Sequence, residues 1–327
     1  MALLGIDIGG TKLAMAVSGA DGLPVQRLRR PIELSGDWRR DLERLQQDAR
    51  ALLAESASLG VGGLERVGVS VPGPFDRETG LLLNPPNLPG WSRVPIGAVL
   101  AEAFGVEVRV ENDANAAALA EWQFGAGERY RNSLAYLTMS TGVGGGLILG
   151  GRLHRGAWGG AGEIGHLPVA FPGIRCACGL SGCLEAYVGG HAWADRLRRS
   201  TPADSEVLAR AGGRREAIGP EHLVEAARAG DAFAGQEFAQ WLDHLARGIV
   251  SLVMLVEPEV IVLGTIAVAA GEALCFEPLR ERVASRLWSH QAERLAIVPA
   301  ALGAELPYRA GLAVARAADS AAAIVGP

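Results

Sequence analysis

The chain alternates short apolar runs with longer stretches in which apolar residues recur every three or four positions. Residues 3–8 form a nearly continuous apolar run, the pattern of a strand buried on both faces. Gly9-Gly10-Thr11 predicts a turn, and residues 13–17 a second strand. Residues 37–57 carry Leu42, Leu45, Ala49, Leu52 and Leu53 at helical spacing. A buried strand over 67–71 is closed by Pro72-Gly73-Pro74, and residues 84–91 (NPPNLPGW) read as a proline-rich loop. Val106, Val108 and Val110 alternate as in a half-buried strand, and an alanine-rich helix follows Glu111-Asn112-Asp113. Residues 133–140 predict a strand, 141–144 a turn and 145–149 the returning strand. A long helix over 232–256 sets Phe238, Trp241, Leu245, Ile249, Leu252 and Val256 on one stripe. A strand over 260–263 ends at Gly264, and a helix over 309–323 closes the pattern.

Strands and helices alternate throughout, which makes the class α/β. A strand, a glycine turn bearing a hydroxyl, and a second strand occur at 3–17 and again at 133–149. Two related domains facing one cleft are therefore expected. Residues 151–185 stand apart: they are rich in glycine and lack periodicity, so something other than apolar burial must order them.

Composition narrows the picture. A chain of 327 residues suits about two domains, and 49% hydrophobic residues give each a core. A net charge of −5 offers no basic field for nucleic acid, and the arginines within residues 27–30 read as a solvated face offset by nearby acids. No run reaches the roughly 18 apolar residues of a membrane helix. The opening MALLGIDIGG has neither the basic region nor the cleavage site of a signal peptide. The expectation is a cytoplasmic protein with no nucleic-acid or membrane partner.

Three features carry chemistry. The first is the pair of glycine loops. Asp7-Ile8-Gly9-Gly10-Thr11-Lys12 joins two strands and so is not a Walker loop, which leads into a helix. Its glycines let backbone N–H groups approach a phosphate, and Thr11 and Lys12 add a hydroxyl and a charge. The second loop, from Ser140 and Thr141 through Gly142 and Gly144 to Gly146, offers the same chemistry. Either could be a tight hairpin turn alone; the two together, with Asp7 beside the first, favour phosphate binding. The second feature is Asn112-Asp113, at a strand end where α/β folds line their ligand crevice. A carboxylate there can take a proton from a substrate hydroxyl, while Asp and Asn are also favoured helix caps. Both roles fit if Asn112 or Asn115 caps and Asp113 faces the cleft. The third is His166 with Cys176, Cys178 and Cys183. Three thiolates and an imidazole give the closed tetrahedral set of structural zinc, and soft thiolates favour zinc over magnesium or calcium. Three cysteines within eight residues suit a metal better than a disulfide framework. Cys275 reads as a buried thiol, and the histidines at 154, 191, 222, 244 and 290 as surface or packing residues.

Taken in order, DIGGTK at 7–12, VPGPFD at 71–76, NPPNLPGW at 84–91, ENDANAAALAE at 111–121, STGVGGG at 140–146, GAWGGAGEIGH at 156–166 and CACGLSGCLE at 176–185 resemble the ROK (repressor, open reading frame, kinase) family of sugar kinases and sugar-responsive repressors. The resemblance runs nearly end to end. It implies an actin- and hexokinase-like (ribonuclease H-like) fold of two α/β domains around a central cleft. The expected division is a small domain of residues 1–110 with 308–327, and a large domain of residues 111–307 with the zinc loop. It implies ATP-dependent transfer to the 6-hydroxyl of a hexose, glucose or an N-acetylhexosamine, with Asp113 as general base. Sugar contacts are implied for Asn112, Glu163, His166 and Glu185, with Gly73 and Asn87. ATP phosphates would lie against residues 9–12 and 141–145, with Gly264 near the nucleotide and Mg2+ near Asp7. His166 would serve twice, one ring nitrogen on zinc and the other toward a sugar hydroxyl, since ligation fixes the tautomer. A homodimer or tetramer is implied.

One departure stands out. Family kinases usually continue the strand at 260–263 with two or three glycines near the adenosine; here the run is Gly264-Thr265-Ile266. Family repressors carry an N-terminal helix-turn-helix extension, and with the phosphate loop beginning at Asp7 none is expected. The competing reading is a non-catalytic sugar-binding protein or sugar-sensing regulator.

Overall fold

The computed structural model describes residues 1–317. Its first sheet holds β1 (Ala2–Ile8), β2 (Lys12–Ser18), β3 (Pro24–Pro31), β4 (Leu64–Val71) and, past the short hairpin of β5 (Phe75–Asp76) and β6 (Leu81–Leu82), β7 (Glu107–Asn112). The order is β3-β2-β1-β4-β7, antiparallel through β3, β2 and β1 and parallel through β1, β4 and β7. The second holds β8 (Ser133–Met139), β9 (Val143–Leu149), β10 (Arg152–Leu153), β11 (Val260–Thr265) and β12 (Ala296–Pro299), in the order β10-β9-β8-β11-β12. Here too the last three strands of the order are parallel. The two sheets thus share one plan, a glycine hairpin followed by two parallel neighbours, as the internal echo suggests.

The apolar runs behave as their composition requires. Leu3, Leu4, Ile6 and Ile8 are fully buried, as are Val260, Ile261, Val262 and Leu263. β3 alternates half-buried and exposed positions, and arginines of both sets form ion pairs, half-buried Arg30 with Asp48 at 2.6 Å and exposed Arg27 with Glu305 at 2.6 Å. The basic cluster is therefore part of an edge strand, which periodicity alone left unread. Helix Trp38–Ala57 is capped by the Asp37 side chain and buries Leu42, Leu45, Ala49 and Leu52 against the first sheet. Helix Ala232–Val256 starts at Asp231, whose carboxylate accepts from Ala234 N–H at 2.8 Å. It buries Phe238 and Trp241 beside Trp193, with ring centroids 5.3–5.9 Å apart.

Two compact units result. One comprises Met1–Glu128, Leu147–Ala161 and the described residues from Ala301 on; the other comprises Arg129–Gly146 and Gly162–Ala300. This differs from the expected boundary after residue 110. Helix Asp113–Phe124 packs on the last helix, Leu306–Arg316, which itself lies against β1 and β4, so both helices belong with the first sheet. The closing helix ends at Arg316, and the remainder of its expected span, from 318, lies outside the described residues. No helix among the described residues is long and apolar enough to cross a membrane.

Candidate functional site

The candidate residues fall into two groups, one in each unit. In the first unit the parallel register of β1, β4 and β7 sets Asp7 beside Ser70, Ser70 beside Glu111, and Val71 beside Asn112. Ser70 Oγ donates to Asp7 Oδ1 at 2.6 Å. Asp7 keeps some open surface, but most of its surroundings are protein. Burial pushes its carboxyl up to about 6 against the Ser70 hydrogen bond, and the nearby Asp113 charge adds to the rise.

The capping question has a clear answer. Asn112 is the N-cap, its Oδ1 accepting from Ala114 N–H at 2.9 Å and Asn115 N–H at 3.4 Å. Asp113 opens the helix with an exposed carboxylate that also accepts from Ala114 N–H, at 2.8 Å. Gly73 lies against Asn112: a Cβ there would sit 3.3 Å from Asn112 Nδ2. In the β1–β2 loop, Gly9 N–H donates to Lys12 C=O at 2.9 Å, which leaves Thr11 and Lys12 exposed at the tip. Gly10 backs onto Asn87, where a Cβ would come within 2.9 Å of Asn87 Cβ, so only glycine lets the two loops meet. The Asn87 loop is tethered from below. Trp91 is buried and donates from Nε1 to Asp41 Oδ2 at 3.0 Å.

Glu111 is not among the residues that motif reading selects, yet it holds this end of the sheet together. It is 3% exposed and accepts from Arg77 at 3.1 Å, Arg155 at 2.6 Å and Asn115 Nδ2 at 3.1 Å. Arg77 belongs to the turn after β5, and Arg155 follows β10. One buried carboxylate thus ties two loops to the residue preceding Asn112. The signal available in sequence was an acid closing an otherwise apolar-alternating strand.

In the second unit, the turn between β8 and β9 is centred on Ser140-Thr141-Gly142, with Ser140 N–H donating to Gly142 C=O at 3.0 Å. Val143 already belongs to β9, so the returning strand starts two residues earlier than expected. Glu185 lies directly behind the turn. Its Oε2 accepts from Val143 N–H at 2.9 Å, and a Cβ on Gly142 would fall 2.4 Å from the same oxygen. Thr141 is exposed at the tip, and its carbonyl takes a hydrogen bond from His191 N–H at 2.9 Å. Gly144 follows on β9. Glu163 is exposed and precedes a short 3-10 turn, Ile164–His166, that presents the imidazole.

The ligand atoms of His166, Cys176, Cys178 and Cys183 all lie within 4.8 Å of one another. Zinc–sulfur bonds of ~2.3 Å imply sulfur–sulfur edges of about 3.8 Å in a tetrahedron; Cys178 and Cys183 are 3.7 Å apart. Hydrogen bonds from Cys176 N–H to Leu180 C=O (2.7 Å) and from Gly179 N–H to Cys176 C=O (3.0 Å) shape the loop between the thiols. Burial and the neighbouring thiols push Cys183 up to about 12, whereas the Leu180 N–H holds Cys178 below the usual thiol value. A dication reverses the first effect, so the donor set fits zinc. Cys176 Sγ also reaches Glu185 Oε1 at 3.7 Å, which joins the thiol and imidazole cluster to the glycine turn. Cys275 is fully buried, as a packing thiol should be.

A cavity of about 670 Å³ opens beside that turn, with Ser140, Thr141, His191, Glu221, Arg228 and Thr265 in its wall. The motifs point to Ser140, Thr141 and Thr265 in this wall, but not to His191, Glu221 and Arg228, which come from segments with no motif of their own. Gly264 is buried within β11. Its neighbour Thr265 faces the cavity with φ +48°, a conformation that favours glycine. The Thr265 hydroxyl donates to Met139 C=O and lies 3.2 Å from Thr138 Oγ1, which holds the unusual backbone in place.

The model of the ROK family matches residues 3–317. The chain belongs to the ROK family. Among relatives, the glucokinase of Thermotoga maritima is 36% identical over 284 residues, covering 86% of each chain. Repressors are present as well: the xylose repressor of Caldicellulosiruptor bescii is 30% identical over 295 residues, covering 90% of this chain and 73% of that protein. Among solved structures, the ROK hexokinase of Thermus thermophilus superposes with a TM-score of 0.81 at 35% identity, covering 97% of both chains. The ROK glucokinase of Streptomyces griseus, solved with glucose and AMPPNP, superposes at 0.74 with 30% identity, covering 97% of this chain and 99% of that one. The actin- and hexokinase-like α/β fold implied by the motifs is therefore that of this ROK protein.

Proposed function

We propose that this ROK protein is an ATP-dependent sugar kinase that phosphorylates the 6-hydroxyl of a hexose, glucose in the first instance, with an N-acetylhexosamine as the second candidate. The observation that carries the reading is the division of labour at the end of β7. Asn112 satisfies the helix N-terminus, and the Asp113 carboxylate next to it stays exposed. A positioned carboxylate can accept the proton of the attacking hydroxyl, a role worth ~10²–10⁴ in rate. The glucokinase and hexokinase relatives point the same way.

In this reading Asn112, Asp113, Gly73, Asn87, Glu163, His166 and Glu185 supply acceptor contacts. The loops at Gly9, Gly10, Thr11 and Lys12 and at Thr141, Gly142 and Gly144 supply phosphate contacts, with Gly264 behind the nucleotide. The cavity at Thr265 takes the nucleoside. Asp7 offers the hard oxygen that Mg2+ prefers, and the cation would offset the burial that raises its carboxyl. Mg2+ supplies charge neutralisation on the phosphates. His166, Cys176, Cys178 and Cys183 hold zinc, which keeps the histidine ring in one orientation. Most of the rate then comes from positioning and charge stabilisation.

The deciding experiment is coupled ADP release across a panel of hexoses. Saturable turnover with glucose or an N-acetylhexosamine is expected. No turnover with any hexose at millimolar concentration overturns the reading, and sugar binding without nucleotide binding would favour the sugar-sensing alternative that the xylose repressor relatives raise.

A further inference from the structure

A second cavity, of about 420 Å³, lies in the second unit between helix Gly190–Ser200 and helix Ala232–Val256. Its wall includes Arg196, Arg199, Glu237, Gln240, His244 and Tyr187. None of these belongs to the site described above. Arg199 and Gln240 are exposed and Glu237 is half-buried, with the Glu237 carboxylate acting on the Arg196 charge. His244 Nδ1 is buried there without a partner, which is costly unless something supplies one. A concave site with aromatic walls, a few polar groups and one buried unpartnered nitrogen is a usual form of a small-ligand pocket.

The chemistry of the wall narrows the ligand. Two arginines oppose one carboxylate, so the cavity carries a net positive charge suited to one anionic group. Glu237, Gln240 and the imidazole also line it and can serve as hydrogen-bonding partners for hydroxyls. Tyr187 and Trp241 contribute aromatic surface, Tyr187 stacked on His244 with centroids 4.0 Å apart. That combination matches a polyhydroxylated ring bearing a single phosphate better than a bare anion, which would leave Glu237 opposed, or a neutral sugar, which would leave Arg199 unused.

The cavity is wired to the metal loop and the glycine turn. Arg196 donates to Ala186 C=O at 2.7 Å and Tyr187 C=O at 2.8 Å, and Trp241 Nε1 donates to Val188 C=O at 3.0 Å. All three acceptors are on helix Glu185–Val188, whose first residue bonds Val143 N–H and touches Cys176. Tyr187 Oη accepts from Ile174 N–H at 2.9 Å, two residues ahead of Cys176. A ligand pressing on Tyr187 or Arg196 therefore acts on the element that carries Glu185.

We propose that this cavity is an effector site for a hexose phosphate and that its occupancy changes affinity for the acceptor sugar. The regulatory half rests on the kinase reading above; the binding half does not. The test is a calorimetric titration of glucose 6-phosphate into the full zinc-loaded chain saturated with glucose and AMPPNP, with inorganic phosphate and glucose as comparison titrants. One further binding event is expected for glucose 6-phosphate, much weaker for phosphate, and absent for glucose. Arg199→Ala should weaken it about tenfold, the size of a lost charge-assisted hydrogen bond, and Gln240→Trp should fill the cavity and abolish it. Both variants should keep wild-type kinetics in the absence of effector, while the shift of the hexose KM by glucose 6-phosphate disappears. No event in the saturated chain, equal binding by Arg199→Ala, or equal binding of inorganic phosphate overturns the proposal. An absence of turnover with any hexose would overturn the kinase reading and leave the binding result standing.

Discussion

The two glycine hairpins occupy the same place in sheets of the same order, yet they are held in different ways. The β1–β2 hairpin is supported by its own sheet: Asp7 on β1 takes a hydrogen bond from Ser70 on β4, and the Asn87 loop packs against Gly10. The β8–β9 hairpin has no acid at the end of its strand. Its support is Glu185, from some 40 residues further along, beside a cluster of metal ligands. The difference shows that the sheet plan fixes where each glycine loop is presented, and that the carboxylate which finishes the loop can come from the sheet or from an inserted segment. One half is expected to respond to loss of charge and the other to loss of metal.

Substitutions and metal removal test that contrast. The largest expected effect is on the first hairpin's side. Asp113→Asn should lower hexose turnover by ~10²–10⁴ with sugar binding nearly intact, because Asn112 keeps the cap. Full activity in steady-state assays would remove Asp113 from the mechanism. Next comes Glu111→Ala, which leaves Arg77 and Arg155 facing each other without their shared buried acid; breaking such a pair costs about 3–5 kcal/mol. Denaturant unfolding should show that loss, and a change within error of zero would mean that the arginines find other partners.

Asp7 gives a prediction with two signs. Its unfolded carboxyl titrates near 3.8 and the folded one near 6. The folded state therefore holds the proton more tightly, and its stability is greatest below the lower value and declines as pH rises through the upper one. At about 1.4 kcal/mol per pH unit, the loss across this window is about 3 kcal/mol. Asp7→Asn should raise the stability of the magnesium-free protein at pH 7 by up to that amount while removing kinase activity. A variant less stable than the parent at neutral pH would contradict the burial argument. The smallest effect is expected in the second half. Chelation or Cys178→Ser should reduce activity roughly 10–100-fold, the usual consequence of releasing a residue that a metal orients, by weakening hexose binding more than ATP binding. If metal-stripped protein keeps its hexose affinity, the zinc orders the loop alone and His166 has one role.

Much of this architecture was legible in the chain because its strands are continuous apolar runs broken by glycine. The hairpins at Gly9 and Gly142, the strand ending at Asn112 and the long helix through Trp241 all follow from period and punctuation. The thiol and imidazole cluster followed from donor type and spacing. What escaped was set by tertiary contact. β3 is an edge strand with arginines on both faces, so it looked like a charged surface. Helix Asp113–Phe124 joined the first unit because it packs on Leu306–Arg316, a partner some 190 residues away. The partners of Glu111 and the cavity residues His191, Glu221 and Arg228 have no local signature, since an ion pair or a cavity wall is assembled from segments that sequence order keeps apart.

Thr265 carries a consequence for how the protein tolerates change. At φ +48° its backbone suits glycine, and its hydroxyl is what holds a threonine there. The substitution ranking at this position should therefore run against that of the rest of β11. Glycine, ordinarily a poor strand residue, becomes the easiest replacement and serine the next. Valine, with the shape of threonine but no hydroxyl, becomes one of the worst. In a library of variants or among drifting homologues, position 265 should move between threonine and glycine with little between them.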